Sequence, residues 1–324
     1  MSHTPHAPTP PTDRAQPLPP SGSTWIGPKA LSQDPQREER RKEIRASLWH
    51  PYEIPWLAGA IIFNAAVLAW AVLEVVIAFG KGRDPNVYAG LLIAAPILIW
   101  FARGQIFARL RSNGVKVSPT QYPEAYAMVE DAANHYGLAR IPDAYVVLGN
   151  GAINAAASGH GYRRFIFIYS DLFEVGGRTR DPDALAFIIG HEVGHIAAGH
   201  TSYWRLLATF GSQFIPFVGS TLSRTQEYTA DNFGYSYRAH GSPGAIGTLA
   251  GGKYLNRTVD VNALADRAET EKGFFVWLGN ATSTHPVLTW RAHALRDRSQ
   301  PGRILLRPHR SGWTAPEPAP RVDA

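Results

Sequence analysis

His191-Glu192-Val193-Gly194-His195 sets two imidazoles four residues apart, with a carboxylate beside the first. On a helix, residues i and i+4 share a face, so both rings can reach one cation at about 2.0 to 2.1 Å. Glu192 falls roughly 100° round the helix from His191, within reach of a water that such a cation activates but not of the cation itself. This is the minimum apparatus of a zinc hydrolase. The chain has no cysteine, so thiolate ligands are excluded and any zinc must be held by imidazole and carboxylate.

Two histidines do not hold zinc firmly, and a third ligand has to be found. His200 lies about 180° from His191 and about 140° from His195 on a continuous helix, so it faces away and reads as structural or as a cap near the helix end. A metzincin pattern would need glycine at 198 and histidine at 201, where the chain has Ala198 and Thr201. The better ligand lies in Ser223-Arg224-Thr225-Gln226-Glu227-Tyr228-Thr229-Ala230-Asp231, where Ser223 and Gln226 suggest a capping box opening a second helix. Glu227 and Asp231 are again at i and i+4. Glu227 completes a His/His/Glu set for one zinc ion per chain, and Asp231 can accept a hydrogen bond from the distal nitrogen of a ligand histidine, best His191.

These residues need rigid elements beneath them. Asp181-Pro182 reads as an N-cap and first helical position, and Leu185, Ile188, Ile189 and Ile196 supply an apolar stripe for the motif helix. Tyr122 to Tyr136 reads as an amphipathic helix opened by Pro123 and stopped by Gly137. Asp143 to Leu148 and Arg164 to Tyr169 read as strands flanking Ala152 to Ala157. Upstream, Trp56 to Phe79 is almost continuously apolar, and as a helix it spans about 36 Å, enough to cross a roughly 30 Å hydrocarbon core. A second run, Val87 to Phe101, carries Pro96, and the polar turn Gly80–Pro85 joins the two as a hairpin. In the first span, Asn64 is expected to bond across the hairpin and Glu74 to sit near enough to a helix end to approach the interface. A third stretch, Trp204 to Leu222, mixes apolar residues with Arg205, Ser212 and Gln213 and reads less well as a full span.

Residues 1 to about 36 are dominated by proline, serine, threonine and small residues, a composition that reads as a disordered tail and lacks the layout of a signal peptide. The net charge of +6 does not point to nucleic acid, because the basic residues gather beside the apolar segments rather than along one face. Arg37, Arg40, Arg41, Lys42 and Arg45 precede the first span and Arg103, Arg109, Arg111 and Lys116 follow the second, outnumbering Lys81 and Arg83 in the turn. The positive-inside rule then places both ends of the hairpin, and all that follows, on the cytoplasmic side.

Together with Asn154-Ala155 upstream and Thr284-His285-Pro286 and Arg291 downstream, these motifs resemble the HtpX-type membrane-bound zinc peptidases of the gluzincin class, related to the CAAX prenyl protease. The resemblance covers roughly residues 118–296. It implies an α+β fold, a mainly helical gluzincin-type domain with a small β-sheet preceded by a transmembrane helical hairpin. By the same resemblance, Asn154 and Ala155 lie on an edge strand that binds substrate main chain to main chain. His285 then approaches the metal, to steady an oxyanion or act as a reversible extra ligand, and Arg291 helps hold the site together. HtpX-type members carry longer hydrophobic matter than Trp204 to Leu222 between the zinc helix and the glutamate ligand, so four spans are not implied.

The expected organisation is a Pro-rich tail with a basic juxtamembrane segment (1–50), a hairpin in the lipid bilayer (51–107), a zinc metallopeptidase domain (108–300) and a flexible C-terminal tail (301–324). The expected activity is hydrolysis of polypeptides, misfolded membrane proteins among them, by a multi-pass membrane enzyme with Glu192 as general base. The competing readings are a silent membrane-anchored adaptor that binds unfolded segments, and a metal hydrolase acting on an amide other than a peptide.

Overall fold

A computed structural model of the protein describes residues 35–176, 181–215 and 217–308. The Pro-rich tail before residue 35 and the chain from 309 onward lie outside these residues. The basic segment ahead of the first apolar run forms a helix, α1 (Pro35–Leu48). Helices α2 (Glu53–Gly80) and α3 (Val87–Asn113) make the hairpin. Ala60, Ala71, Ala78 and Ala89 are fully buried, while Ile62, Leu73, Val76, Phe79 and Ile97 stand exposed. Small residues let the helix backbones approach and the large apolar ones face outward, the reverse of a water-soluble helix pair. Among the described residues these are the two helices long and apolar enough to cross a membrane.

α3 runs twelve residues past the Phe101 limit read from hydropathy. Its last turns leave the apolar run and pack on the sheet, with Phe107 stacked on Phe165 at 4.9 Å. Asn64 does not bond across the hairpin. Its side chain donates to Leu207 O (3.0 Å) and accepts from Gly211 N (2.7 Å), fastening the segment 203–214 against α2. Glu74 is paired with Arg83 of the hairpin turn at 2.8 and 2.9 Å.

After the hairpin come β1 (Val115–Lys116), α4 (Pro123–His135), β2 (Asp143–Val147), β3 (Ala155–His160), β4 (Arg163–Tyr169) and the short α5 (Ser170–Gly176). The sheet order is β1-β2-β4-β3, with β2 and β4 parallel and the other pairs antiparallel. β3 is therefore an edge. α6 (Pro182–Ala197) carries the HEVGH run, and Asp181 caps it by accepting from Ala184 N at 2.9 Å. Leu185, Ile189 and Ile196 are buried and Ile188 is half-buried; the buried three pack in one cluster with α4 and the sheet.

The third apolar stretch breaks into α7 (Tyr203–Thr209), a 3₁₀ turn (Phe210–Phe214) and the start of α8 (Val218–Arg238). The capping box expected at Ser223 and Gln226 is thus overturned: α8 begins six residues earlier, after Phe217 in a left-handed conformation (φ 70°). Thr221 and Leu222 are buried against the rest of the molecule, and that burial extends the helix upstream of the polar signal. The remainder is helical: α9 (Ser242–Leu255), α10 (Val261–Thr270), α11 (Phe274–Thr282) and α12 (Leu288–Arg296). The fold is mostly helical with one small mixed sheet.

Candidate metal centre

The centre forms where α6 and α8 cross at close range. Gly194 makes that approach possible: a Cβ there would meet the Cβ of Phe233, on α8, at 2.5 Å. The glycine inside the motif is thus a packing requirement. With the helices this close, Glu227 of α8 faces His191 and His195 of α6. One ligand atom from each lies within 4.8 Å of the others.

The hydrogen bonds fix which ring nitrogens face inward. Asp231 holds His191 Nδ1 at 3.0 Å, and an ionised carboxylate only accepts, so Nδ1 donates and the Nε2 lone pair points to the centre. On the other side Glu53 holds His200 Nε2 at 3.0 Å. Burial drives the His200 pKa down to about 4. A neutral His200 that donates to Glu53 through Nε2 accepts through Nδ1, and its partner there is His195 Nδ1 at 2.8 Å. His195 then also turns a lone pair inward. The two Nε2 atoms stand 3.2 Å apart, with Glu227 oxygens 3.4 Å from one and 3.6 Å from the other, and Glu227 Oε2 is buried without a hydrogen-bond partner.

Lone pairs and a carboxylate facing one point repel unless a cation lies between them. The electrostatics agree. Burial opposes a proton on His191, yet with no metal between them Asp231 and Glu227 outweigh it and raise its pKa to about 10, so that a proton stands on Nε2 where a metal cation would displace it. The donor set is neutral imidazole and carboxylate with imidazole orientation fixed by second hydrogen bonds, which fits zinc.

Arg291 of α12 closes the Asp231 side. Its Nε and Nη2 reach the two Asp231 oxygens at 2.9 and 2.6 Å, both residues are buried, and Asp231 is held below the usual carboxylate range against the cost of its burial. Glu192 is buried beside the centre, and burial pushes its carboxyl above the usual value. His285, mostly exposed, brings Nε2 to 3.4 Å from Glu227 Oε1. Asn154 ends just before β3 and Ala155 begins it, and both line the cleft with His191 and Glu192.

The cleft has two lobes that share Ala155, His191, Glu192, Glu227 and His285. The smaller is walled by apolar residues, including Phe187, Ile188, Ile246 and Leu249. The larger, about 350 Å³, runs along Ala155–Ser158 towards the hairpin. Tyr169 N donates to Asn154 O, so in the alternating ladder Ala156 and Ser158 bond β4 while Ala155, Ala157 and Gly159 present their main-chain groups outward.

Sequence reasoning missed Glu53 and Arg205. Glu53 is fully buried at the head of α2 and takes bonds from Arg205 and Thr229 as well as His200. The available signal was the placement of each: Glu53 abuts the first apolar run, and Arg205 interrupts the third.

The family model of peptidase family M48 matches residues 119–219 and 204–299, together more than half of the chain. No curated protein and no solved structure matches it.

Proposed function

Because this chain belongs to peptidase family M48, a family of zinc-dependent metallopeptidases, we propose that it is a membrane-bound zinc endopeptidase of the HtpX type. The observation that carries the reading is the inward convergence of His191, His195 and Glu227, each oriented or left unpaired so that one metal cation could take all three as ligands. These three residues would hold the ion. When bound, zinc supplies Lewis acidity towards water and towards the scissile carbonyl.

The rest of the work falls to the chain. A peptide adds to the free edge of β3, meeting the outward groups of Ala155 and Ala157, with an apolar side chain in the smaller lobe. Glu192 takes the proton of the attacking water on its carboxylate and passes it to the leaving amine, and its raised pKa suits both transfers. His285 donates to the developing oxyanion. Asp231 and Arg291 keep His191 in its productive tautomer.

The hairpin spans the bilayer with the cleft on the cytoplasmic side, where misfolded membrane proteins are the substrates. The test is Glu192→Gln. The variant is expected to keep stoichiometric zinc and lose cleavage on the order of 10²- to 10⁴-fold, while comparative proteomics of membranes carrying it shows intact clients accumulating. Wild-type rates in a zinc-loaded variant would sink the assignment.

A further inference from the structure

The end of the larger lobe nearest the hairpin carries charge that the peptidase reading does not use. Arg103, three turns from the end of α3, lines this lobe together with Ser158, His200 and Thr201. It is 9% exposed and donates through Nη2 to Thr201 O at 2.7 Å. Its Nε is buried without a partner, and among the described residues no carboxylate pairs with it. Arg164 lies close enough to repel it, folded over Gly159 of β3, and gives its own Nη1 only to the carbonyls of Gly161 and Arg163. The neighbouring acid, Glu53, is already taken up by Arg205, His200 and Thr229.

A guanidinium that is nine-tenths buried and has no counter-charge is costly to hold, and a bond to one carbonyl offsets only part of that cost. The single bond to Thr201 leaves most of its five-donor fork open. A second guanidinium beside it deepens the cost. What satisfies both is an anion with two planar acceptors, brought in along the β3 edge where a peptide strand would lie.

We propose that Arg103, supported by Arg164, forms a carboxylate subsite that selects substrates carrying an acidic side chain or a chain-terminal carboxylate on the hairpin side of the cut bond. This rests on the peptidase reading above. The assignment makes the second apolar helix a specificity element of the cleft.

The experiment uses the full-length zinc-loaded protein in detergent and sets of peptides that differ only as Glu against Gln at successive positions, or as a C-terminal acid against its amide, with products read by mass spectrometry. Wild type is expected to favour the acid member at one position by about 10- to 100-fold in kcat/KM. The Glu/Gln series identifies a side-chain carboxylate and the acid/amide series a terminal one. Arg103→Gln is expected to abolish the preference while neutral peptides are still cut. Arg103→Lys, which keeps a charge and a donor for Thr201, serves if the glutamine variant does not fold and is expected to weaken the preference several-fold. Equal cleavage of acid and neutral peptides by wild type overturns the inference and leaves the peptidase reading standing. A preference unchanged in whichever variant folds overturns it too. Cleavage of no peptide at all removes both.

Discussion

Replacing Asp231 separates the two things it does. Asp231 is 1% exposed and Arg291 9% exposed, and two short bonds join them, while the same carboxylate holds His191 Nδ1 at 3.0 Å. Asp231→Leu leaves Arg291 buried without its hydrogen-bonded carboxylate, which costs about 3–5 kcal/mol. It also strips His191 of its acceptor, which lowers metal affinity by about 10- to 100-fold. The double variant Asp231→Leu/Arg291→Met removes the stranded charge and fills the space with apolar atoms. Its stability is expected to return to within about 1–2 kcal/mol of wild type. Its zinc affinity should stay as low as that of the single variant, because nothing has replaced the bond to His191. Thermal unfolding of the metal-free proteins in detergent reads the first quantity and competition with a zinc chelator reads the second. If the double variant regained wild-type zinc affinity, Asp231 would act on the centre only through stability, and the tautomer argument would be refuted.

Four further outcomes follow from the same geometry. Gly194→Ala forces a methyl into Phe233 and is expected to cost about 1–3 kcal/mol and to weaken zinc binding by pushing Glu227 away from α6, read by unfolding and by metal content. Ala157→Pro removes an outward N–H from the β3 edge without touching the β4 ladder, so kcat/KM is expected to fall about tenfold with zinc stoichiometry unchanged. Chelation should lower the unfolding temperature, and free zinc at 100 times its Kd should restore about 2.7 kcal/mol; an identical melting curve in chelator would deny a bound metal. The chain has no cysteine, so Asp84→Cys in the hairpin turn and Ser299→Cys after α12 give clean topology probes. Impermeant thiol reagents are expected to label them from opposite sides of the membrane, and labelling from one side would exclude a spanning hairpin.

What could be read from the sequence was local. Asp181-Pro182, the spacing of His191 and His195, and the pairing of Glu227 with Asp231 each depend on helical phase within one segment, which residue order encodes directly. The start of α8 was misread because Ser223 and Gln226 satisfy the local rule for a cap, while burial of Thr221 and Leu222 against distant elements carries the helix past it. Asn64 was assigned to the wrong neighbour for the same kind of reason: its partners, Leu207 and Gly211, lie more than 140 residues away. Glu53 and Arg103 had no periodic signal at all. Both read as charges flanking apolar runs, and only the docking of the hairpin on the domain pairs Glu53 with Arg205 and leaves Arg103 with a carbonyl but no counter-charge.

The chain of bonds from Glu53 through His200 to His195 also bears on when the centre can assemble. Glu53 stands at the head of the first apolar helix, whereas His195 stands on α6, more than 140 residues later. The hairpin precedes the zinc helix in the chain and so leaves the ribosome before it. A chain whose hairpin has not docked leaves His200 without its Glu53 acceptor, and the His195 ring is then free to turn its lone pair away from the centre. Docking of the hairpin on the domain is therefore a condition for a correctly oriented centre, which ties assembly of the site to the placement of the first apolar helix.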